Sequence, residues 1–104
     1  MDTKHDRMIS AMKTVAAEFL ERESDHKALV TVTDVMVTKR SERVTVLVTV
    51  FPENMESVVM ESLASKERDM KEFVKTRLKL MRLPVFEFII DKGEKNRQRI
   101  EGVL

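Results

Sequence analysis

Two runs of β-branched residues near the middle of the chain constrain its fold more than any other feature. Between residues 29 and 51 apolar and polar side chains alternate, and four valines carry the clearest part of the pattern: Val44, Val46, Val48 and Val50. Such alternation is typical of a strand that buries one face. Because the charged stretch 39–42 (KRSE) interrupts it, we predict a β-hairpin with strands over 29–38 and 44–51.

The first of these strands is less regular than the second. Its alternation breaks at Asp34, which is consistent either with a β-bulge or with a threonine-rich surface face. The turn places Lys39 and Arg40 at the hairpin tip, where charged side chains also discourage pairing with the edges of other sheets.

Apolar residues recur at helical spacing on both sides of the hairpin. The pattern over residues 7–20 predicts an amphipathic helix. After the hairpin a second apolar stripe begins, lapses at Lys66 and Glu67, and then resumes until Pro84 ends it. The lapse predicts two helices, or one bent helix, in this part of the chain.

An apolar run over residues 85–91 predicts a third strand, and residues 92–104 read as a polar C-terminal tail with an apolar tip. The predicted order is therefore helix, strand, strand, helix, helix, strand. With 104 residues the chain supports one modest core. We predict a single α+β domain over 1–104, with helices packed on one face of a three-stranded sheet.

Several classes of function are disfavoured by what the chain lacks. It contains no cysteine and only two glycines, which excludes disulfides, thiolate sites, a P-loop and a dinucleotide-binding fingerprint. Its two histidines, His5 and His26, have no partner at the spacing of a metal site or a catalytic triad. No run approaches the roughly 18 apolar residues of a membrane span. We therefore expect no cofactor, metal or catalytic site, no membrane association and a cytoplasmic location.

Three segments together resemble the ribosome-binding factor A family. They are the hairpin VTVTDVMV…RVTVLVTV, the later FVKTRLKLMRLPVFEF and the ending FIIDKGEKNRQRI. They follow one another at the spacing of that family, and the likeness runs from about Arg7 to Arg99. The resemblance implies a variant of the type II KH fold. It also implies a non-catalytic factor that binds the immature small ribosomal subunit and its rRNA and assists late rRNA processing, especially in the cold. We expect a monomer with no small-molecule substrate.

The family usually bends its last two helices at an Ala-x-Gly sequence, whereas this chain has SKER at 65–68. Because the apolar stripe lapses at this point and Ser65 precedes the lapse, we predict a break within residues 64–68 even without glycine.

The net charge is only +1, but the positions of the positive charges in the sequence are informative. On a helical wheel of residues 68–82, five cations fall within a sector of roughly 80°: Arg68, Lys71, Lys75, Lys79 and Arg82. Such a row can follow a phosphate backbone, although cations also suit the end of a helix and any helix needs a solvated face. We predict that these residues, with Lys39 and Arg40 at the hairpin tip, bind rRNA. Arg77 points instead toward the apolar face, and we expect it to snorkel or to end the helix.

The aromatic residues give no sign of base stacking. All five phenylalanines occupy positions where core residues are expected: Phe19, Phe51, Phe73, Phe86 and Phe88. We therefore expect binding to depend on the shape and charge of the RNA backbone. The alternative function is a protein-interaction module that uses the hairpin edge or the methionine-rich faces.

Overall fold

The computed structural model of the chain describes residues 3–40 and 42–103. Its elements are α1 (Lys4–Glu23), β1 (Leu29–Val37), β2 (Arg43–Phe51), a 3₁₀ turn (Glu53–Met55), α2 (Glu56–Ser65), α3 (Glu67–Arg77), β3 (Val85–Ile90) and α4 (Lys92–Val103). The predicted α+β fold and the order of its first six regular elements are confirmed. Ser41 of the predicted turn and Leu104 of the predicted tail lie outside the described residues.

The three strands form one sheet in the order β1-β2-β3, with β2 antiparallel to β1 and parallel to β3. In the middle of the sheet Val46 pairs with Val35 on one side and with Phe88 on the other, and all three side chains are buried. The register shifts between Val32 and Asp34. The irregularity at Asp34 is thus a β-bulge, which settles the two alternatives that the sequence left open.

The core lies between one face of this sheet and the helices. Helix α1 packs against β1, and α3 packs against both α1 and β3. Between the two helices the rings of Phe19 and Phe73 lie 5.6 Å apart at 54°, a tilted arrangement that aromatic pairs favour. The prediction of helices on one face of the sheet is confirmed for α1 and α3.

The opposite face of the sheet carries a set of exposed large apolar side chains: Leu29, Met36, Phe51, Val85 and Ile89. The prediction that all five phenylalanines belong to the core is therefore wrong for one of them. Phe51 is 73% exposed, because it is the last residue of β2 and its side chain lies on the face of the sheet opposite that of Val50.

Helix α1 is longer at both ends than its apolar pattern predicts. Its N-terminus is fixed by a capping box, in which Thr3 Oγ1 accepts from the Asp6 N–H and Asp6 Oδ2 accepts from the Thr3 N–H. This reciprocal pair satisfies two backbone donors that a helix start leaves open.

The predicted break between the last two predicted helices is confirmed at Lys66, where φ is −105° and ψ is 9°. Two hydrogen bonds end α2 there, from the Lys66 N–H to Leu63 O at 3.0 Å and from Ser65 Oγ to Ser62 O at 2.6 Å. The negative φ is open to any L-amino acid. The bend therefore needs no glycine.

A helix occupies most of the segment that the sequence presented only as a polar tail. Asp91 starts α4, because its Oδ1 accepts from the Glu94 N–H at 3.0 Å and its carbonyl oxygen accepts from the Lys95 N–H at 3.0 Å. Lys95 then pairs with Glu53 and Glu56, each at 3.0 Å. Polar contacts therefore hold α4, which explains why apolar periodicity did not reveal it. No helix among the described residues is long and apolar enough to cross a membrane.

Candidate nucleic-acid interface

Three of the predicted rRNA-binding cations lie on α3. Arg68 and Lys75 are exposed and Lys71 is half-buried. Asp69, Glu72, Phe73 and Thr76 line the groove between α3 and α1. Lys71 and Lys75 are each two residues from Phe73, about 160° around the helix from it. They therefore project away from the groove that α3 forms with α1.

The other two cations of the predicted row are not on a helix. Helix α3 ends at Arg77, and Leu78 is already extended, with φ −126° and ψ 140°. Leu78 and Leu80 both pack against the core while Lys79 between them is exposed. In an extended backbone, successive side chains point to opposite sides. Because the helix ends at Arg77, Leu78 and Leu80 can both reach the core while Lys79 points to solvent. The wheel argument is therefore wrong beyond Arg77, and Lys79 and Arg82 lie in the loop between α3 and β3.

Sheet topology brings this loop to the same end of the molecule as the hairpin tip. The hairpin closes with a hydrogen bond from the Thr38 N–H to Arg43 O at 3.1 Å. Beside it, the Val85 N–H donates to Glu42 O at 2.9 Å. Arg82 is three residues before Val85, within roughly 10 Å of chain, and Lys39 and Arg40 follow Thr38 directly. Three of the predicted cations, Lys39, Arg40 and Arg82, thus gather at one end of the sheet.

Pairing separates these cations from several others in the chain. Arg43 pairs with Glu87, Arg77 with Glu18, Lys95 with Glu53 and Glu56, and Arg97 with Glu94. Within residues 3–40 and 42–103, no ion pair or hydrogen bond engages the side chains of the predicted site: Lys39, Arg40, Arg68, Lys71, Lys75, Lys79 and Arg82. Their donors are available to an anionic partner.

Arg77 behaves as the sequence predicts. It is the last residue of α3, its guanidinium lies 4.6 Å from the centroid of the Phe73 ring, and its Nε donates to Glu18 Oε2 at 2.8 Å. Arg22 lies over the same ring at 5.4 Å. Arg77 therefore joins α3 to α1 and is not part of the available cation set.

The shifted pKa values belong to α4 and its contacts. A hydrogen bond from Thr33 lowers the pKa of Asp91, a hydrogen bond from Arg97 lowers the pKa of Glu94, and pairing with Glu56 and Glu53 raises the pKa of Lys95. Each shift has a structural partner within the fold. Among the described residues, no group of three or more histidine, aspartate or glutamate side chains could hold a metal ion.

Sequence reasoning missed two exposed apolar side chains. Phe51 was expected in the core. Met81 falls within the segment 68–82 that was placed on a helix, but it lies in the loop between α3 and β3. Both are exposed. The position of Phe51 at the end of a strand could have indicated that it is exposed. The exposure of Met81 could not be predicted without knowing where α3 ends.

Comparison with known proteins places these features in a family context. The chain matches the family model described as Ribosome-binding factor A over residues 4–104. It is similar to the crystal structure of ribosome-binding factor A from Thermus thermophilus, with 26% identity, a TM-score of 0.75, and 84% of this chain and 94% of that chain covered. No curated protein sequence matches it.

Two further structures share the fold. One is a homology model of the Thermus thermophilus factor fitted into a cryo-EM map of its complex with the 30S subunit; identity is 26%, the TM-score 0.73, and coverage 83% of this chain and 93% of that chain. The other is a Thermotoga maritima protein solved by NMR, with 24% identity, a TM-score of 0.71, and 89% and 93% coverage. The latter likeness is evidence for the fold alone.

Proposed function

Because this chain belongs to the ribosome-binding factor A family, we propose that it binds the small ribosomal subunit and contacts rRNA through its unpaired cations. The observation that carries the proposal is the contrast between cations paired within the fold and those left available on α3, on the loop after it and at the hairpin tip. The fitted complex of the Thermus thermophilus factor with the 30S subunit supports the choice of partner.

The available cations favour recognition of the RNA backbone. Lysine and arginine side chains that neutralise phosphates release condensed counterions, which supplies affinity that is independent of sequence and falls as salt rises. Four buried phenylalanines cannot stack on bases. We propose that the protein docks on folded rRNA through the RNA backbone, as a monomer and without catalysis.

The stage of ribosome assembly is a finer part of the same proposal. The factor binds immature small subunits in the cytoplasm and assists late rRNA processing, with its greatest effect in the cold. Sedimentation of cell lysate tests this: the protein should run with free or immature small subunits and be depleted from polysomes. Recovery only as free protein, or in a non-ribosomal complex, contradicts it.

Charge reversal tests the surface itself. Lys75 and Lys79 are exposed and unpaired among the described residues, as are Lys13 and Lys27 on the α1 side of the molecule. The double substitution Lys75→Glu/Lys79→Glu should abolish most binding to purified small subunits. The matched variant Lys13→Glu/Lys27→Glu carries the same change in net charge and should bind far better. Equal loss in both variants would show that only net charge matters.

A protein-interaction module is the second candidate, because exposed apolar residues such as Leu29, Phe51 and Ile89 share the sheet face opposite the helices. Salt separates the two functions. Binding through phosphates weakens steeply between low and high salt, whereas binding through an apolar face hardly responds.

A further inference from the structure

Met81 is the most exposed large apolar side chain among the described residues. Its relative exposure is 107%, against 73% for Phe51, the next in order. The chain bends at Met81 and Arg82, so the side chain stands at the tip of the loop between α3 and β3. A methionine in this position contributes nothing to the core, since it removes no apolar surface from water.

The loop that carries Met81 is anchored on both sides. Leu78 and Leu80 pack against the core before the bend, and Pro84 is fully buried after it. The tip is therefore held in place by its neighbours, which lowers the entropy that binding must overcome.

Two cations flank Met81 in the chain: Lys79 lies two residues before it and Arg82 directly after it. Lys79 and Arg82 are exposed and have no ion-pair partner within the described part of the chain. An apolar side chain between two available cations suits a ligand that presents an apolar surface between two negative charges. An unstacked nucleotide has this form, because the face of its base lies between successive phosphates. Nucleic-acid-binding proteins also insert methionine and other apolar side chains at base steps.

We propose that Met81 packs against the face of an unstacked base in rRNA while Lys79 and Arg82 pair with the flanking phosphates. This inference rests on the proposed function and adds a specific contact to it: a bulged or looped nucleotide, read by an apolar tip. A pocket on a ribosomal protein is the competing occupant, but it would also have to supply acidic partners for both cations.

Affinity for purified small subunits, measured across a salt series, tests the proposal. Met81→Ala should leave the melting temperature unchanged and weaken binding roughly tenfold, a difference that corresponds to about 1.4 kcal/mol. The salt slope should not change, because no charge is lost. Lys79→Gln should instead reduce the slope by about 0.7–0.9. Met81→Leu should restore most of the affinity.

A matched control and a cross-link complete the test. Met36 is 53% exposed on the sheet, so Met36→Ala removes the same group elsewhere and should bind normally. A photoreactive amino acid at position 81 should cross-link to an rRNA base. If Met81→Ala binds like the parent, or if the cross-link reaches a ribosomal protein, the inference is overturned. If Lys75→Glu/Lys79→Glu also binds like the parent, the proposed function fails with it.

Discussion

Thr33 Oγ1 donates a hydrogen bond to Asp91 Oδ2 at 2.6 Å, across 58 residues of sequence. Thr33 is the residue skipped by the register at the β-bulge of β1, and Asp91 is the residue that starts α4. The bulge thus places one hydroxyl against the carboxylate that caps the C-terminal helix. This contact joins a local irregularity in the hairpin to the start of a distant helix.

Thr33→Val should therefore raise the pKa of Asp91. In the native protein the Thr33 hydroxyl is the largest cause of the lowered pKa. A lowered pKa stabilises the fold above the unfolded pKa of about 3.9, and this contribution is lost as pH falls through the folded value. The two proteins should differ in stability near neutral pH and converge in strong acid. NMR titration of the Asp91 carboxylate measures the pKa directly.

Thr31→Val is the control, because Thr31 lies on the same strand, is exposed and is not bonded to Asp91. It should leave the Asp91 titration unchanged. An unaltered titration in Thr33→Val would show that the backbone N–H groups of α4 alone determine the pKa.

The sequence predicted the elements that rest on apolar periodicity and missed those that rest on polar contacts. Strand β2, α1 and the lapse at Lys66 were visible because side-chain spacing reports which face is buried. The bulge could only be stated as one of two alternatives, and α4 was not visible at all. Its anchors, Asp91 and Lys95, find their partners in parts of the chain that no local pattern connects.

Phe73 and Phe51 should respond in opposite ways to substitution with alanine. Phe73 is buried between Phe19 and two guanidinium groups, so Phe73→Ala should destabilise the fold by roughly 3–5 kcal/mol through the cavity it leaves. Phe51 is exposed, so Phe51→Ala should change stability by about 0.5 kcal/mol or less. Denaturant unfolding of both variants measures this. Similar losses would contradict the assignment of Phe51 to the surface.

A glycine at the helix break should weaken the protein, although the family resemblance implies a glycine at this bend. Lys66 has a φ of −105°, which an ordinary residue adopts without strain. Lys66→Gly should therefore cost about 0.4–1 kcal/mol, mainly by giving the unfolded chain more freedom. Lys66→Ala should cost less, and backbone chemical shifts should retain the break in both variants. A gain in stability with glycine would show that the bend is strained.

The ion pair between Arg77 and Glu18 should contribute to stability without contributing to subunit binding. Both side chains are about half exposed, 49% and 51%, so a double-mutant cycle with Arg77→Gln and Glu18→Gln should give a coupling of about 0.2–1 kcal/mol. Arg77→Gln should bind small subunits like the parent. A loss of affinity comparable with that of Lys75→Gln would place Arg77 in the interface.

The sequence predicted only part of the arrangement of the candidate cations. Spacing identified Arg68, Lys71 and Lys75 as neighbours on one helix. The same helical wheel placed Lys79 and Arg82 on that helix as well, which is wrong, because it assumed that α3 continues to Pro84. The proximity of Arg82 to the hairpin tip follows from the parallel pairing of β2 with β3, which depends on tertiary structure.

That proximity leads to the last prediction, which concerns Lys39 and Arg40. They share one end of the sheet with Arg82 and are unpaired among the described residues. Lys39→Gln/Arg40→Gln should reduce affinity for small subunits roughly tenfold and lower the salt slope by up to about two, since each phosphate contact contributes about 0.7–0.9. Lys13→Gln/Lys27→Gln removes the same charge from the α1 side and should leave the slope nearly unchanged. If the two variants have equal slopes, rRNA binding is confined to α3 and its following loop, and the hairpin tip serves only to keep the sheet soluble.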